Sequence, residues 1–339
     1  MEVMRHNIVK HAMVTALAVT FLCAQPLQWK DPSPHRIHFV HVDDGVQLEV
    51  FDWGGSGRPL VLLAGSGNTA HIFDDLAVKL TSFCHVYAVT RRGYGASSHP
   101  ESGFGAQRLG DDVLVVLDSL HLDRPVLAGH SLGGHELTAL ASAHPNRAAG
   151  LIYMDSSADP SFDWQPYMEL RKKLPPAMAM SYPKASPEDR RSFHAYREWQ
   201  MRSLGIAFPE SELRNDFSTK PDGSMGEYQT PVSVRDAITA GMRKPDYSGI
   251  RVPVLAFFTL PAPLKNQMER YQPRTAEERT AMKQVFAADV EWARRSIDRL
   301  RSGVPAARVV ELPGANHYIF LSNESDVLLG IRQFVTTLR

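Results

Sequence analysis

The residues with the clearest chemical potential are a serine and the two glycines that flank it. Residues 129–133 read GHSLG, and the serine is Ser131. A short apolar run at residues 125–128 precedes this motif, and a helical pattern at residues 136–143 follows it. In that strand–turn–helix context, G-x-S-x-G is typical of a tight turn that exposes the serine hydroxyl at the top of a sheet. The spacing therefore predicts that Ser131 is a nucleophile.

A serine hydroxyl needs a base to take its proton and an acid to orient that base. His317 follows an apolar run at residues 308–312 and a loop that contains Gly314. A histidine at the end of a late strand can reach a serine at the end of an earlier strand when both strands belong to one parallel sheet. We therefore predict that His317 is the catalytic base, although the chain holds 14 histidines in all.

Three segments together resemble the α/β-hydrolase superfamily. Residues 117–134 resemble the turn around its nucleophile, residues 91–98 resemble its R-G-x-G-x-S loop, and residues 312–317 resemble its histidine loop. The resemblance covers residues 36–155 and 251–339. It implies an α/β-hydrolase fold, in which helices flank a mostly parallel sheet, with an inserted helical cap and an esterase- or lipase-like serine hydrolase activity.

The resemblance leaves two carboxylates as candidates for the acid. The usual acid of the family lies a few residues past the seventh strand, but residues 259–265 contain no carboxylate. Some members carry the acid at the end of the sixth strand, and Asp155 stands there. We therefore predict Asp155 as the acid, with Glu269 as the alternative.

The resemblance also implies an oxyanion hole made of two backbone amides. Ala64 stands where most members have a histidine, but the amide that matters belongs to the residue after Gly65. That residue is Ser66, and Leu132 after the nucleophile supplies the second amide. Asn68 and His71 follow in the same loop and are candidates for the border of the substrate pocket.

The elements that must position these groups alternate between strand and helix. Such alternation predicts a parallel sheet covered on both faces. We expect strands at 37–42, 46–51, 60–64, 86–89, 125–128, 151–154, 252–258 and 308–312, and helices at 109–120, 136–143, 275–302 and 326–338.

The alternation stops between residues 156 and 250. This stretch shows no strong strand pattern and is rich in aromatic residues, methionine and proline. We expect a helical cap over Ser131, with helices at 165–174 and 187–204 and Ser186 as the N-cap of the second. The apolar content suits a small or medium apolar substrate, although most of these side chains are expected to form the cap's own core.

Composition excludes several classes of protein. Of 339 residues, 43% are hydrophobic, which is enough for a large core, and 37 basic residues balance 37 acidic ones. A chain without net charge has no net field to attract nucleic acid or an anionic membrane, and the sequence shows no basic run interleaved with aromatic residues that would form a local binding patch. The two cysteines, Cys23 and Cys84, show no zinc-binding spacing, and we expect Cys84 to be a small core residue. No metal or cofactor is predicted.

The first 24 residues have the pattern of a signal peptide. Arg5 and Lys10 precede an apolar run at residues 12–24, which ends in a small residue. The run is too short to span a bilayer comfortably. We expect export to the periplasm or medium and no stable membrane insertion once the leader is removed. A surface-packed leader on a cytoplasmic protein and a retained anchor are the alternatives.

The combined expectation is acyl transfer from a small-molecule ester to water through an acyl-enzyme. A serine at this turn argues against the haloalkane dehalogenases and epoxide hydrolases of the family, which place aspartate there. A lactonase, a carbon–carbon bond hydrolase or an amidase would use the same triad. A non-catalytic member would bind a small molecule in the same pocket. The sequence leaves the natural substrate and the oligomeric state open.

Overall fold

The computed structural model describes residues 29–156, 159, 161–175, 178 and 183–338. The described residues from Ser33 onward belong to one compact unit. The predicted signal peptide therefore lies outside the described residues and stays a prediction. In the described part of the chain, no helix is both long enough and apolar enough to cross a membrane.

Eight strands form the main sheet, in the order β1-β2-β4-β3-β5-β6-β9-β10. The pairs that involve β2 are antiparallel, and all other neighbours are parallel. The predicted α/β class with a mostly parallel sheet is thus confirmed. The strands are β1 (Arg36–Asp43), β2 (Val46–Gly55), β3 (Arg58–Leu63), β4 (Cys84–Thr90), β5 (Val126–His130), β6 (Gly150–Met154), β9 (Val254–Leu260) and β10 (Arg308–Pro313).

Helices cover both faces of this sheet. A 3₁₀ turn at Ala70–Phe73 precedes the first of them. The described helices outside the segment between β6 and β9 are α1 (Asp74–Leu80), α2 (Ala106–Ser119), α3 (Gly133–Ala143), α8 (Leu264–Tyr271), α9 (Ala276–Gly303), α10 (Ile319–Ser322) and α11 (Glu324–Thr337).

Two apolar cores lie on opposite faces of the sheet. All five residues of β5 are buried, as expected of a strand with helices on both sides. Leu127 packs into the core that contains α2 and α3, whereas Ala128 packs into the core that contains α1 and α11. Because successive side chains of a strand point to opposite faces, the apolar run before the serine serves both cores.

The chain between β6 and β9 adds no described strand to the main sheet. It contains α4 (Gln165–Arg171), α5 (Phe193–Leu204), α6 (Glu210–Asp216), α7 (Val232–Gly241) and a two-stranded sheet of β7 (Phe217–Thr219) and β8 (Met225–Tyr228). The role of this insertion as a cap, and the domain division at residues 156 and 250, stay predictions.

Two expectations for the insertion were wrong. The helix expected from residue 187 begins at Phe193, because Ser192 accepts the hydrogen bond of the Ala195 amide at 3.0 Å and is its N-cap. Ser186 instead closes a local turn with Asp189. The pair β7–β8 was also missed, since strands of three and four residues are too short to show a period of two.

Candidate active site

Ser131 lies on a tight, strained turn between β5 and α3. Its φ of +50° is uncommon for a residue with a side chain. The backbone holds this conformation: the Ser131 amide donates to the Met154 carbonyl at 3.1 Å, and the Ser131 carbonyl accepts from Ser156 Oγ at 2.7 Å and from the Gly134 amide at 3.0 Å. The turn is therefore fixed from three sides while the serine side chain stays partly exposed.

The glycines beside the serine are required by close packing. A Cβ on Gly129 would lie 2.5 Å from the carbonyl oxygen of Gly133, and a Cβ on Gly133 would lie 2.8 Å from the carbonyl carbon of Leu63. Backbone atoms cannot move aside as a flexible side chain can. The turn can close only when both positions lack a side chain.

His317 and Asp155 are joined directly. His317 Nδ1 lies 2.6 Å from Asp155 Oδ2, and Asp155 Oδ1 accepts from the amide and the hydroxyl of Thr259, both at 2.9 Å. Asp155 is 6% exposed, and the His317 side chain is 43% exposed. A carboxylate can only accept, so the bond assigns the ring proton to Nδ1 and leaves Nε2 as the basic nitrogen.

The alternative acid, Glu269, takes no part in this arrangement. It lies on α8 with 66% of its side chain exposed, and its carboxylate is 3.8 Å from Lys265 on the same helix. Of the two candidate carboxylates, the structure brings Asp155 and not Glu269 to His317, and Asp155 stays the predicted acid.

The histidine loop lies against the turn that carries the serine. His130 Nε2 is 3.1 Å from the carbonyl oxygen of His317, and the centroids of the two rings are 4.6 Å apart. Burial lowers the pKa of His130 well below its usual value, so this ring is neutral and Nε2–H donates to the carbonyl. In the part of the chain that the structure describes, the Ser131 hydroxyl has no hydrogen bond to His317.

The loop after β3 passes beside the serine. A Cβ on Gly65 would lie 3.3 Å from Ser131 Cβ. Among the described residues, neither the amide of Ser66 nor that of Leu132 donates a hydrogen bond to another group. Two backbone N–H groups near a nucleophile with no internal acceptor are what an oxyanion hole requires.

A buried ion pair also fixes the loop after β3. Arg91 Nη1 donates to the Gly65 carbonyl at 2.6 Å and Nη2 donates to the Ala64 carbonyl, while Nε donates to Glu136 on α3 at 2.6 Å. The side chains of Arg91 and Glu136 are only 5% and 3% exposed. This pair ties the loop after β3 to the helix that follows the serine. The sequence alone assigns no role to Arg91.

Asn68 and His71 are buried parts of the scaffold. They are 2% and 7% exposed. Asn68 Nδ2 donates to Glu212 on α6 at 2.8 Å, and His71 Nδ1 lies 3.0 Å from Asp74 Oδ2. Their side chains therefore support the loop, and the suggestion that they border a substrate pocket gains no support.

A cavity of about 550 Å³ lies beside the histidine loop. Tyr318, the residue after His317, forms one wall, and its ring is 4.7 Å from that of Phe208. Most of the other walls come from the insertion, and they include Tyr196, Trp199, Gln200, Leu204, Leu213, Asp216 and Phe217.

The sequence of this chain matches one family model and is similar to the sequences of several known enzymes. A model of the alpha/beta hydrolase family matches residues 60–329. A 2-(acetamidomethylene)succinate hydrolase of Mesorhizobium japonicum is 24% identical over 305 residues, which cover 88% of this chain and 96% of the relative. A bifunctional esterase/perhydrolase of Acinetobacter calcoaceticus is 28% identical over 126 residues, which cover 36% of this chain and 45% of the relative.

Solved structures agree in fold. The crystal structure of an E-2-(acetamidomethylene)succinate hydrolase has a TM-score of 0.63 at 19% identity, with 89% of this chain and 99% of the other covered. The crystal structure of an esterase from a Rhodococcus species has a TM-score of 0.59 at 20% identity, with the same coverage.

Proposed function

The chain belongs to the alpha/beta hydrolase family, and from that premise we propose that it cleaves carboxylic esters through a covalent acyl-enzyme. The observation that carries this proposal is the bond between His317 Nδ1 and Asp155 Oδ2 at 2.6 Å, beside a serine held at a φ of +50°. An oriented imidazole next to a strained, partly exposed serine is the arrangement that activates a hydroxyl.

The proposed reaction has two halves. His317 Nε2 takes the proton of Ser131 Oγ as this oxygen attacks the ester carbonyl, and the negative oxygen is held by the amides of Ser66 and Leu132. The carbonyl re-forms as the C–O bond to the alcohol breaks, and His317 returns the proton to the leaving alkoxide. Water then attacks the acyl-enzyme with the same histidine as base, and the acid leaves from Ser131.

Asp155 acts through His317. Its carboxylate fixes the ring and stabilises the imidazolium that forms when Nε2 takes the proton. The two hydrogen bonds from Thr259 keep Asp155 Oδ1 satisfied inside the protein, so Oδ2 is available to the histidine. The reaction as written needs no metal and no cofactor.

A cavity of about 580 Å³ that is lined by both Asp155 and His317 supports a small or medium apolar acyl or alcohol group as the preferred part of the substrate. Two of its aromatic walls, Trp164 and Tyr167, come from the insertion, in keeping with a cap that shapes the pocket. The predicted leader at residues 1–24 adds the proposal that the enzyme works outside the cytoplasm.

Amide hydrolysis is the second candidate. It is favoured by the Mesorhizobium relative, which aligns over 96% of its length and is named for hydrolysis of an acetamido compound. Matched substrates separate the two candidates, since 4-nitrophenyl acetate and 4-nitroacetanilide carry the same acyl group and differ in the bond that is cleaved.

The test is hydrolysis of 4-nitrophenyl esters of graded acyl length by the native chain and by Ser131→Ala. We expect turnover by the native chain, with an optimum at a short or medium acyl length, and loss of at least about three orders of magnitude in kcat for the variant. Equal rates for the two proteins would refute the proposal. Turnover of the anilide but not of the ester would favour the amidase.

A further inference from the structure

Helix α6 of the insertion places a carboxylate against the loop that carries the proposed oxyanion amide. Glu212 is fully buried, with 0% exposure. Its carboxylate accepts from Asn68 Nδ2 at 2.8 Å, from the Thr69 amide at 3.1 Å and from Thr69 Oγ1 at 2.5 Å. Asn68 and Thr69 come directly after Ser66 and Gly67. A side chain more than 140 residues away in sequence thus holds the end of this short loop.

The same loop is bonded on two other sides. Asn68 Oδ1 accepts from Tyr318 Oη at 3.1 Å, which links it to the residue that follows His317. The Gly67 carbonyl accepts from Tyr228 Oη of β8 at 3.4 Å. The loop therefore lies between the insertion and the histidine loop, and Glu212 is the acidic group among its partners.

A fully buried carboxylate is costly unless it is paired or hydrogen-bonded. Among the described residues, Glu212 forms no ion pair with lysine or arginine. The bonds that offset the cost of its burial all come from Asn68 and Thr69. The carboxylate can keep its charge only while the donors of Asn68 and Thr69 face it. The position of the loop and the packing of α6 therefore depend on each other.

We propose that Glu212 is a positioning residue, which orients the Ser66 amide so that it can donate to the oxyanion. The oxyanion hole is then complete only when α6 is packed in its place. This inference rests on the proposed function. Glu212 does not touch the substrate. It acts by fixing Asn68 and Thr69, so that the preceding amide faces Ser131 before the reaction begins. Preorganised donors of this kind act only on the charge of the transition state, and they change kcat more than KM.

The surroundings of Glu212 make its effect on the oxyanion loop depend on whether its carboxyl group is protonated. Burial raises its pKa to about 7, against the opposing effects of its Thr69 and Asn68 donors and of His71. Asp216, one turn further along α6, is also buried with a pKa well above its usual value, and Tyr228 faces both acids. Protonation of Glu212 removes an acceptor from the loop, so activity should fall as the pH falls through about 7.

The decisive variant is Glu212→Gln, which keeps the shape of the side chain but turns an amide N–H toward donors. We expect kcat to fall by at least about tenfold, with KM changed by less than about threefold. The affinity for an alkyl trifluoromethyl ketone, which forms an oxyanion on the serine, should fall by the same factor as kcat. The acid limb of the pH–rate profile should become shallower, because Glu212 no longer contributes a protonation to it.

Ser211→Ala is the matched control. Ser211 neighbours Glu212 on α6 and is equally buried, but its hydroxyl donates to Asp74 and does not contact the loop. We expect its kcat to stay within about twofold of the native value. Where Glu212→Gln does not fold, Thr69→Val removes one donor to the same carboxylate and should lower kcat by a smaller factor with the same unchanged KM.

Three results would overturn the inference. They are an unchanged kcat and inhibitor affinity in Glu212→Gln, a loss confined to KM, and an equal loss in Ser211→Ala. Its failure is distinct from failure of the proposed function, which would appear as retained hydrolysis in Ser131→Ala.

Discussion

Two residues of the site carry left-handed backbone conformations. Ser131 has a φ of +50° and Asp155 a φ of +49°, and each directly follows one of two adjacent parallel strands, β5 and β6. The Ser131 amide bonds to the last residue of β6, and the Asp155 amide bonds to the Phe257 carbonyl of β9. The ordered ends of neighbouring strands therefore hold both turns open toward the same edge of the sheet, where the Asp155 side chain meets the histidine loop.

Single-residue substitutions can test the assignment of Asp155 as the acid that orients His317. We expect Asp155→Asn to lower kcat by about three to four orders of magnitude, because an amide in place of the carboxylate stabilises neither the required tautomer nor the imidazolium. Steady-state hydrolysis of 4-nitrophenyl acetate measures this effect. Glu269→Gln is the control and should leave kcat unchanged, since Glu269 is exposed and faces Lys265. A large loss in the control with a small loss in Asp155→Asn would reverse the assignment.

The elements nearest the serine could be predicted from sequence because their signals are local. The run at residues 125–128 is apolar throughout since β5 is buried on both faces, and the glycines of GHSLG are dictated by backbone contacts. Asp155 was predicted from the resemblance to the α/β-hydrolase superfamily, some members of which carry the acid at the end of the sixth strand, and the structure places it beside His317.

Other parts of the site depend on contacts between distant segments and leave no local pattern. Glu212 lies in a short helix whose sequence does not differ from a solvent-exposed one, and only the fold shows that its partners are Asn68 and Thr69. The pairing of Arg91 with Glu136 was missed for the same reason. The place of Arg91, directly after the apolar run that forms β4, was a usable sequence signal for a buried charge. Charged residues are expected at the surface unless a partner is known.

The tight fit between β3, the serine turn and α3 leads to a prediction about stability. We expect Gly133→Ala to lower the free energy of unfolding by about 1–3 kcal/mol, because the new methyl group meets the backbone of Leu63, and to abolish hydrolysis. Chemical denaturation checks the first effect and ester turnover the second. Gly105→Ala adds the same methyl group where nothing lies within 4 Å, and its stability and activity should match the native chain. A stable and active Gly133→Ala would contradict this view of the turn.

At the scale of the whole molecule, three distant parts of one chain converge at one edge of the sheet. Ser131 follows β5, Asp155 follows β6, and His317 follows β10 at the far end of the sheet, with β9 between. The two cores fix the sheet, and the insertion contacts the site through Glu212 and Tyr228.

The central claim is that this fold makes one serine hydroxyl nucleophilic. It is tested most directly by treating the folded chain with a 4-nitrophenyl alkylphosphonate and measuring its intact mass, followed by peptide mapping. We predict stoichiometric addition of one phosphonyl group on Ser131, with labelling slowed by orders of magnitude in His317→Ala. A native chain that stays unlabelled, or a label on another residue that persists in Ser131→Ala, would contradict the claim.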